Sequence, residues 1–422
     1  MICNVYVQVR FTFTGDKIMK KNVLFALAIS TAISSLLTMG NGSSVQAAEK
    51  IIKFGAPLPL TGGLAPEGIK VQRGLNLWME TANAKGGIKV GSDRYKIKII
   101  YQDYQSNTPR AVQTAEKLIT DDKVNFLFSP FGSGATKAAS GVSEKYGIPT
   151  IASTASSEAV YNQGYKYLFG TFTPNISLTQ PLTDLVIAKR PATKTVAILA
   201  RNDFFPLAIA NVMKKSAAKR NLKLVFFEKY TIGTMDHSSA VVQMKAAKPD
   251  WIFATGYLND LTLIRNQMSE LGVKVPVLTM IAGPAYKEFI DGTGKLAENI
   301  TSAAWWHPAV RYNGKGIMGK TENFNKLFKA KYNLVPDYAE ASATAAGTIF
   351  QLAIEAAGTL DHKKVRDALA EMDTETFFGP IKFGANGQIS SLKPPVFQIR
   401  GGKPLVVYPD VIKQIDLKFG IK

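Results

Sequence analysis

The sequence is nearly without cysteine: Cys3 is the only one in 422 residues. A disulfide framework within the chain is therefore excluded. Histidine is as scarce. His237, His307 and His362 lie far apart, with no second His or Cys at ligand spacing, so no metal site is expected. Gly132-Ser133-Gly134 lacks the leading glycine of a nucleophile elbow, because Phe131 stands there. Gly292-Thr293-Gly294-Lys295 is no phosphate loop: Phe289 replaces its first glycine and Leu296 follows the lysine. There is no tandem repeat, coiled coil or low-complexity stretch. With no nucleophile–base pair and no ligand set, the residues favour binding over catalysis, with no cofactor.

The chain does have a strongly basic balance, formally +19. The lysines are scattered over polar helix faces, as in Ala210–Lys223, and no basic run is interleaved with aromatics, so no nucleic-acid partner is expected. Met19 to Ala47 read as a secretory signal peptide. Lys20 and Lys21 open it, Val23–Leu37 form its apolar stretch, and Val45 and Ala47 occupy the small-residue cleavage positions. The apolar stretch falls short of a membrane span. Residues 1–18 read as an upstream mis-start, and the mature chain is expected to begin at Ala48 or Glu49. Removing residues 1–47 leaves a net charge of +16 and about 375 residues, enough for two lobes. The mature protein is expected outside the cytoplasmic membrane, as a monomer.

From Ile51 onward, short β-branched runs alternate with helical periods. Strands are expected at Ile51–Leu58, Tyr95–Asp103, Val124–Ser129 and Pro149–Ile151. Helices are expected at Gly68–Ala84, Pro109–Thr120 and Gly134–Tyr146. The rhythm restarts at Thr195–Ala200 and continues through Trp251–Thr255 and Val275–Thr279. Helices follow near 206–221, 238–247 and 260–271, with further helical blocks over 319–332, 338–358 and 363–372. This is an α/β pattern of two doubly wound parallel-sheet lobes.

Two loops that follow strands and open helices stand out: Ser129–Thr136 and Ala152–Ser157. Ligands bind at the carboxyl ends of parallel strands, where helix N-termini offer N–H groups to a carboxylate. Singly, Ser133, Ser153 and Ser156 could be ordinary helix caps. Two such loops in adjacent βα units point instead to a ligand. Asp203 and Glu228 are expected as surface caps.

In order and spacing, these segments resemble the substrate-binding proteins of branched-chain amino acid ABC importers, the leucine/isoleucine/valine-binding family. The resemblance rests on Gly55–Gly68 (GAPLPLTGGLAPEG), Asp103–Ile119, the serine loops, Ala254–Gly272, Pro336–Ala346 (PDYAEASATAA) and Phe377–Gln388 (FFGPIKFGANGQ). It implies a type I periplasmic binding protein whose lobes are joined by three crossover strands near Phe172, Ala304 and Gly379. Lobe one would be 48–172 plus 305–378, and lobe two 173–304 plus 379–422. It further implies a ligand carboxylate on Ser133, Ser153 and Ala155, beside Thr154 and Ser156, with Tyr257 covering the ligand. Phe205 stands where the family usually has tyrosine, and Glu67 where it has an aromatic. The family's amine-anchoring glutamate is missing from Val275–Tyr286, so either Glu67 or Asp203 takes that role, or the ligand has no amine. Phe131, Phe205, Tyr257, Trp305 and Trp306 would then suit an aromatic or aliphatic carboxylate, although Trp305 and Trp306 are first expected as core and crossover packing. The implied function is delivery of a hydrophobic amino acid or small carboxylate to an ABC permease and ATPase in the periplasm. The alternative is a ligand-sensing receptor module of the same fold.

Overall fold

The computed structural model describes residues 49–421. The expected signal peptide, the mis-start segment and Cys3 lie outside them. The first sheet contains β1 (Ile51–Leu58), β2 (Ile88–Val90), β3 (Asp93–Asp103), β4 (Phe126–Phe128), β5 (Thr150–Ala152) and β6 (Leu168–Gly170), ordered β2-β3-β1-β4-β5-β6. All its pairings are parallel except the β2–β3 hairpin. β1 lies between β3 and β4, which explains its nearly continuous burial.

The second sheet starts with β7 (Thr195–Arg201), β8 (Lys223–Tyr230), β9 (Trp251–Thr255), β10 (Val277–Ile281) and β11 (Thr301–Ala303). A small hairpin follows, β12 (Asp373–Thr376) with β13 (Gly379–Lys382). The antiparallel pair β14 (Val396–Arg400) and β15 (Lys403–Tyr408) then completes the order β15-β14-β11-β10-β9-β7-β8. In each sheet the first strand of the unit lies inside the sheet and the chain places later strands on both sides of it, although β7 has only β8 beyond it on one side. These are two doubly wound lobes, each with a topological switch point.

Most expected elements are present with shifted ends. The helix expected from Gly68 begins at Ala65, with Pro66 in its first turn. The strand expected at Val275–Thr279 is Val277–Ile281. The reading missed β2, β6 and the helix Ile176–Lys189, which runs through Pro181.

Phe54, Trp78, Phe128 and Phe350 pack ring against ring at the centre of the first lobe. The helix Tyr338–Ala357 is buried on nearly every side, which its run of Ala, Ser and Thr permits. Its Gly347 is needed for close approach, since a Cβ there would lie 2.1 Å from the Trp78 ring. Gly74 makes the matching approach from the helix Ala65–Ala84. These contacts fix Glu67, Lys70 and Tyr338 on one rigid frame. Among the described residues, no helix is long and apolar enough to cross a membrane.

Candidate ligand-binding cleft

Most of the segments that meet between the lobes leave the carboxyl ends of parallel strands; Tyr338 opens a helix that follows another helix. In the first lobe, β4 leads to Gly132, which caps the helix Ser133–Tyr146 with φ +81°, and β5 leads to residues 153–157. The two loops are stitched together. Ser133 Oγ accepts from the Ser156 and Ser157 amides at 3.2 and 3.3 Å. Thr154 Oγ1 accepts from the Gly132 amide at 3.2 Å. Ser133 therefore braces the neighbouring loop instead of capping its own helix.

The other small residues of the second loop are tied from behind. The Ser153 carbonyl accepts from Ser342 Oγ at 2.7 Å, and the Ala155 carbonyl accepts from the Tyr161 hydroxyl at 2.7 Å. Ser156 donates to Asn175 Oδ1 at 2.7 Å, and its carbonyl accepts from Gln388 Nε2. Of this loop, Thr154 is the residue that lines the chamber between the lobes.

The second lobe supplies the opposing wall. β7 leads through Asp203 to Phe205, and Asp203 caps its helix by accepting from the Phe204 amide at 2.6 Å. That confirms the capping role expected of Asp203. β9 leads to Tyr257, whose ring lies 5.6 Å from Phe131 of the first lobe. Arg201 sits 5.3 Å over the Tyr257 ring and is held by Asp260 at 2.8 Å. β10 leads to Ala282, which also lines the chamber and carries φ +93°, a strained value for a residue with a Cβ. At the crossover, Trp305 stacks flat on Phe172, 4.1 Å between centroids and 4° between planes, and donates to the Thr173 carbonyl at 3.1 Å.

Trp305 thus belongs to the chamber as well as to the packing. Trp306 faces Phe324 in the core, and Tyr338 closes the remaining side. The enclosed volume is about 20 Å3, room for roughly one water. Of the expected site residues, Thr154, Phe205 and Tyr257 line it, whereas Ser133, Ser153, Ala155 and Ser156 are not among the lining residues. Sequence reasoning did not name Tyr338 or Phe172 as ligand contacts.

Glu67, the remaining expected site residue, is not among the residues that line the chamber; it is buried against Leu258, which follows the chamber residue Tyr257. It lies in the first turn of the helix Ala65–Ala84, and its Oε1 accepts from the Leu258 amide of the second lobe at 3.0 Å. Its Oε2 is buried with no hydrogen-bond partner. Burial pushes the carboxyl up to about 7, only partly offset by the Leu258 and Glu67 amides and the Lys70 charge. Its charge reaches Tyr257 and Tyr338, both chamber residues. The nearest acid after the Val275–Tyr286 stretch, Glu288, is already paired with Lys70 at 2.8 Å. Among the described residues, no cluster of His, Cys, Asp and Glu could hold a metal ion.

Residues 51–403 match the periplasmic binding protein family. Over 405 residues the chain is 28% identical to Leu/Ile/Val-binding protein homolog 8 of Brucella suis, covering 92% of this chain and 96% of that one. The fold matches the branched-chain amino acid transporter substrate binding protein LivJ of Streptococcus pneumoniae, solved with isoleucine. The TM-score is 0.75 at 26% identity, over 85% of this chain and 100% of that one. It also matches, in fold, an ABC transporter solute binding protein of R. palustris solved with benzoate. There the TM-score is 0.72 at 21% identity, over 87% and 100% of the two chains. Two doubly wound lobes closing on an aromatic chamber, together with these likenesses, place the chain in the periplasmic binding protein family with the type I fold.

Proposed function

We propose that this protein captures a small hydrophobic amino acid outside the cytoplasmic membrane and presents it to an ABC permease and its ATPase. The observation that carries this reading is the buried, partnerless Oε2 of Glu67 beside an aromatic chamber. A buried carboxylate is costly unless paired. A ligand ammonium supplies the missing partner. The ligand carboxylate is then met by Thr154 and the start of the helix at Ser133, where backbone dipoles favour an anion. Its apolar side chain lies against Phe131, Phe172, Phe205 and Trp305.

Both lobes contribute to this set, so the ligand favours closure. A chamber of about 20 Å3 must widen to admit isoleucine, by lobe opening or rotation of the ring walls. The basic signal-like segment supports export by a cleavable leader, and the chain is taken to act as a monomer. One observation favours a second reading. A Glu67 carboxyl pushed up to about 7 can stay protonated and donate a hydrogen bond, which suits an amine-free carboxylate.

Calorimetry separates the two. With an ammonium anchor, L-isoleucine binds at least about 100-fold more tightly than its deamino analogue 3-methylpentanoate, near 3 kcal/mol. Equal or reversed affinities would replace the first reading by the second. No heat with any hydrophobic acid, amine-bearing or not, would refute both.

A further inference from the structure

Tyr338 lines two cavities at once. One is the small chamber between the lobes. The other, about 550 Å3, is lined by Trp306 and Pro308 beyond the crossover, Pro336 of the first lobe, and Ile290, Leu405 and Lys403 of the second. The outer space is therefore large enough for a ligand-sized group, mostly apolar, and bounded by both lobes.

The Tyr338 ring lies 5.3 Å from Trp305 and 5.8 Å from Phe172 on the inner side, and 5.4 Å from Tyr286. Its hydroxyl shares a 2.6 Å hydrogen bond with that of Tyr286 and lies 3.4 Å from the Ala282 carbonyl. It is also the first residue of a helix whose cap, Asp337, accepts from Ala339 and pairs with buried Lys70. The ring is thus fixed by ring packing, by its hydroxyl and by its helix, and Tyr338 is the one residue that the linings of the two spaces share.

We propose that Tyr338 is the partition that sets the longest ligand this protein accepts, dividing an inter-lobe channel into an inner chamber and an outer vestibule. The proposal rests on the reading of the chamber as an amino-acid site. It goes beyond it by assigning the size limit to one side chain and by naming the class that limit excludes: α-amino acids with an extended aromatic side chain. Removing the ring joins the two spaces, and the apolar vestibule then receives the far end of such a ligand.

The test measures the affinities of L-isoleucine and L-4-phenylphenylalanine for the full chain and for Tyr338→Ala, with Tyr338→Leu as the milder truncation should the alanine variant fold poorly. The ratio of the longer ligand's affinity to that of isoleucine should rise by about tenfold or more in a folded truncation. Tyr338→Phe, which keeps the ring, should still exclude the longer ligand. Adding Leu405→Trp to the truncation should abolish the gain by filling the vestibule. A folded truncation with an unchanged ratio would overturn the proposal, as would a gain that survives Leu405→Trp. If the unaltered protein binds no amino acid, the ligand reading fails. The crystal structure of the truncated variant then decides the partition separately: a continuous cavity supports it, and collapse of Tyr286 or Trp305 into the space refutes it.

Discussion

Lys70 and Glu288 pair across the two lobes at 2.8 Å, with the lysine side chain almost wholly buried and the glutamate half exposed. The same ammonium lies 2.9 Å from Asp337 and 4.6 Å from the Tyr286 ring centroid. Burial pulls Lys70 down, but the charges of Asp337, Glu340 and Glu288 outweigh it and hold it above its ordinary range. Lys70→Met would leave buried Asp337 without its cation beside Glu340, which keeps only Arg73 at 3.3 Å. It should destabilise the protein by about 3–5 kcal/mol in denaturant unfolding. Glu288→Gln should cost less than about 1 kcal/mol, because that partner is wetted. It should instead expand the particle in small-angle scattering by loosening closure.

The unliganded protein should be less stable on the alkaline side. The Glu67 carboxyl stands at about 7 in the folded state against an ordinary 4.5, so the folded chain holds a proton that the unfolded chain releases. Its contribution is fully present below pH 4.5 and is lost as pH rises through 7, a change of about 3 kcal/mol. Glu340, pushed up to about 8 chiefly by burial, acts with the same sign. Urea unfolding at pH 5 and pH 8 should show the drop. Glu67→Gln should remove the part due to Glu67, and an unchanged slope in that variant would contradict the assignment.

Ser133 and Thr154 should separate stability from affinity. Ser133→Ala leaves two buried amides, of Ser156 and Ser157, without their acceptor, and should cost about 1–3 kcal/mol in unfolding. Thr154→Val takes the acceptor from one buried amide, that of Gly132, and changes a residue that lines the chamber, so it should cost less stability than Ser133→Ala and act chiefly on affinity in calorimetry. The opposite pattern would move the carboxylate contact behind the loops.

Trp305→Ala removes a ring stacked at 4.1 Å on Phe172 and a hydrogen bond to the Thr173 carbonyl. It should cost about 3–5 kcal/mol and lower the melting temperature by several degrees. A loss below about 1 kcal/mol would mean that the crossover does not depend on this stack.

The central strands were legible because their apolar runs end at turn residues: Ile51–Leu58 and Trp251–Thr255 have the bounds read for them. The two serine loops were legible as loops at strand ends. The helix Ile176–Lys189 was not. Pro181 interrupts its period, and Thr183 is tolerated inside it only because its hydroxyl bonds back to the Thr179 carbonyl. β2 and β6 are three residues each, too short to show alternation. The chamber was half legible. Tyr257 and Phe205 follow strands that could be read, but Trp305 and Tyr338 reach it from chain far away. The burial of Glu67 depends on the Leu258 amide of the other lobe, which no local pattern encodes.

The most direct test of the ammonium anchor is the proton balance of binding. Titrate L-isoleucine into the protein at pH 6.5 in buffers of different ionisation enthalpy. If the ligand pairs with an ionised Glu67, binding should release about 0.8 proton, and Glu67→Gln should abolish both the release and most of the affinity. Proton uptake, or full affinity in Glu67→Gln, would contradict it.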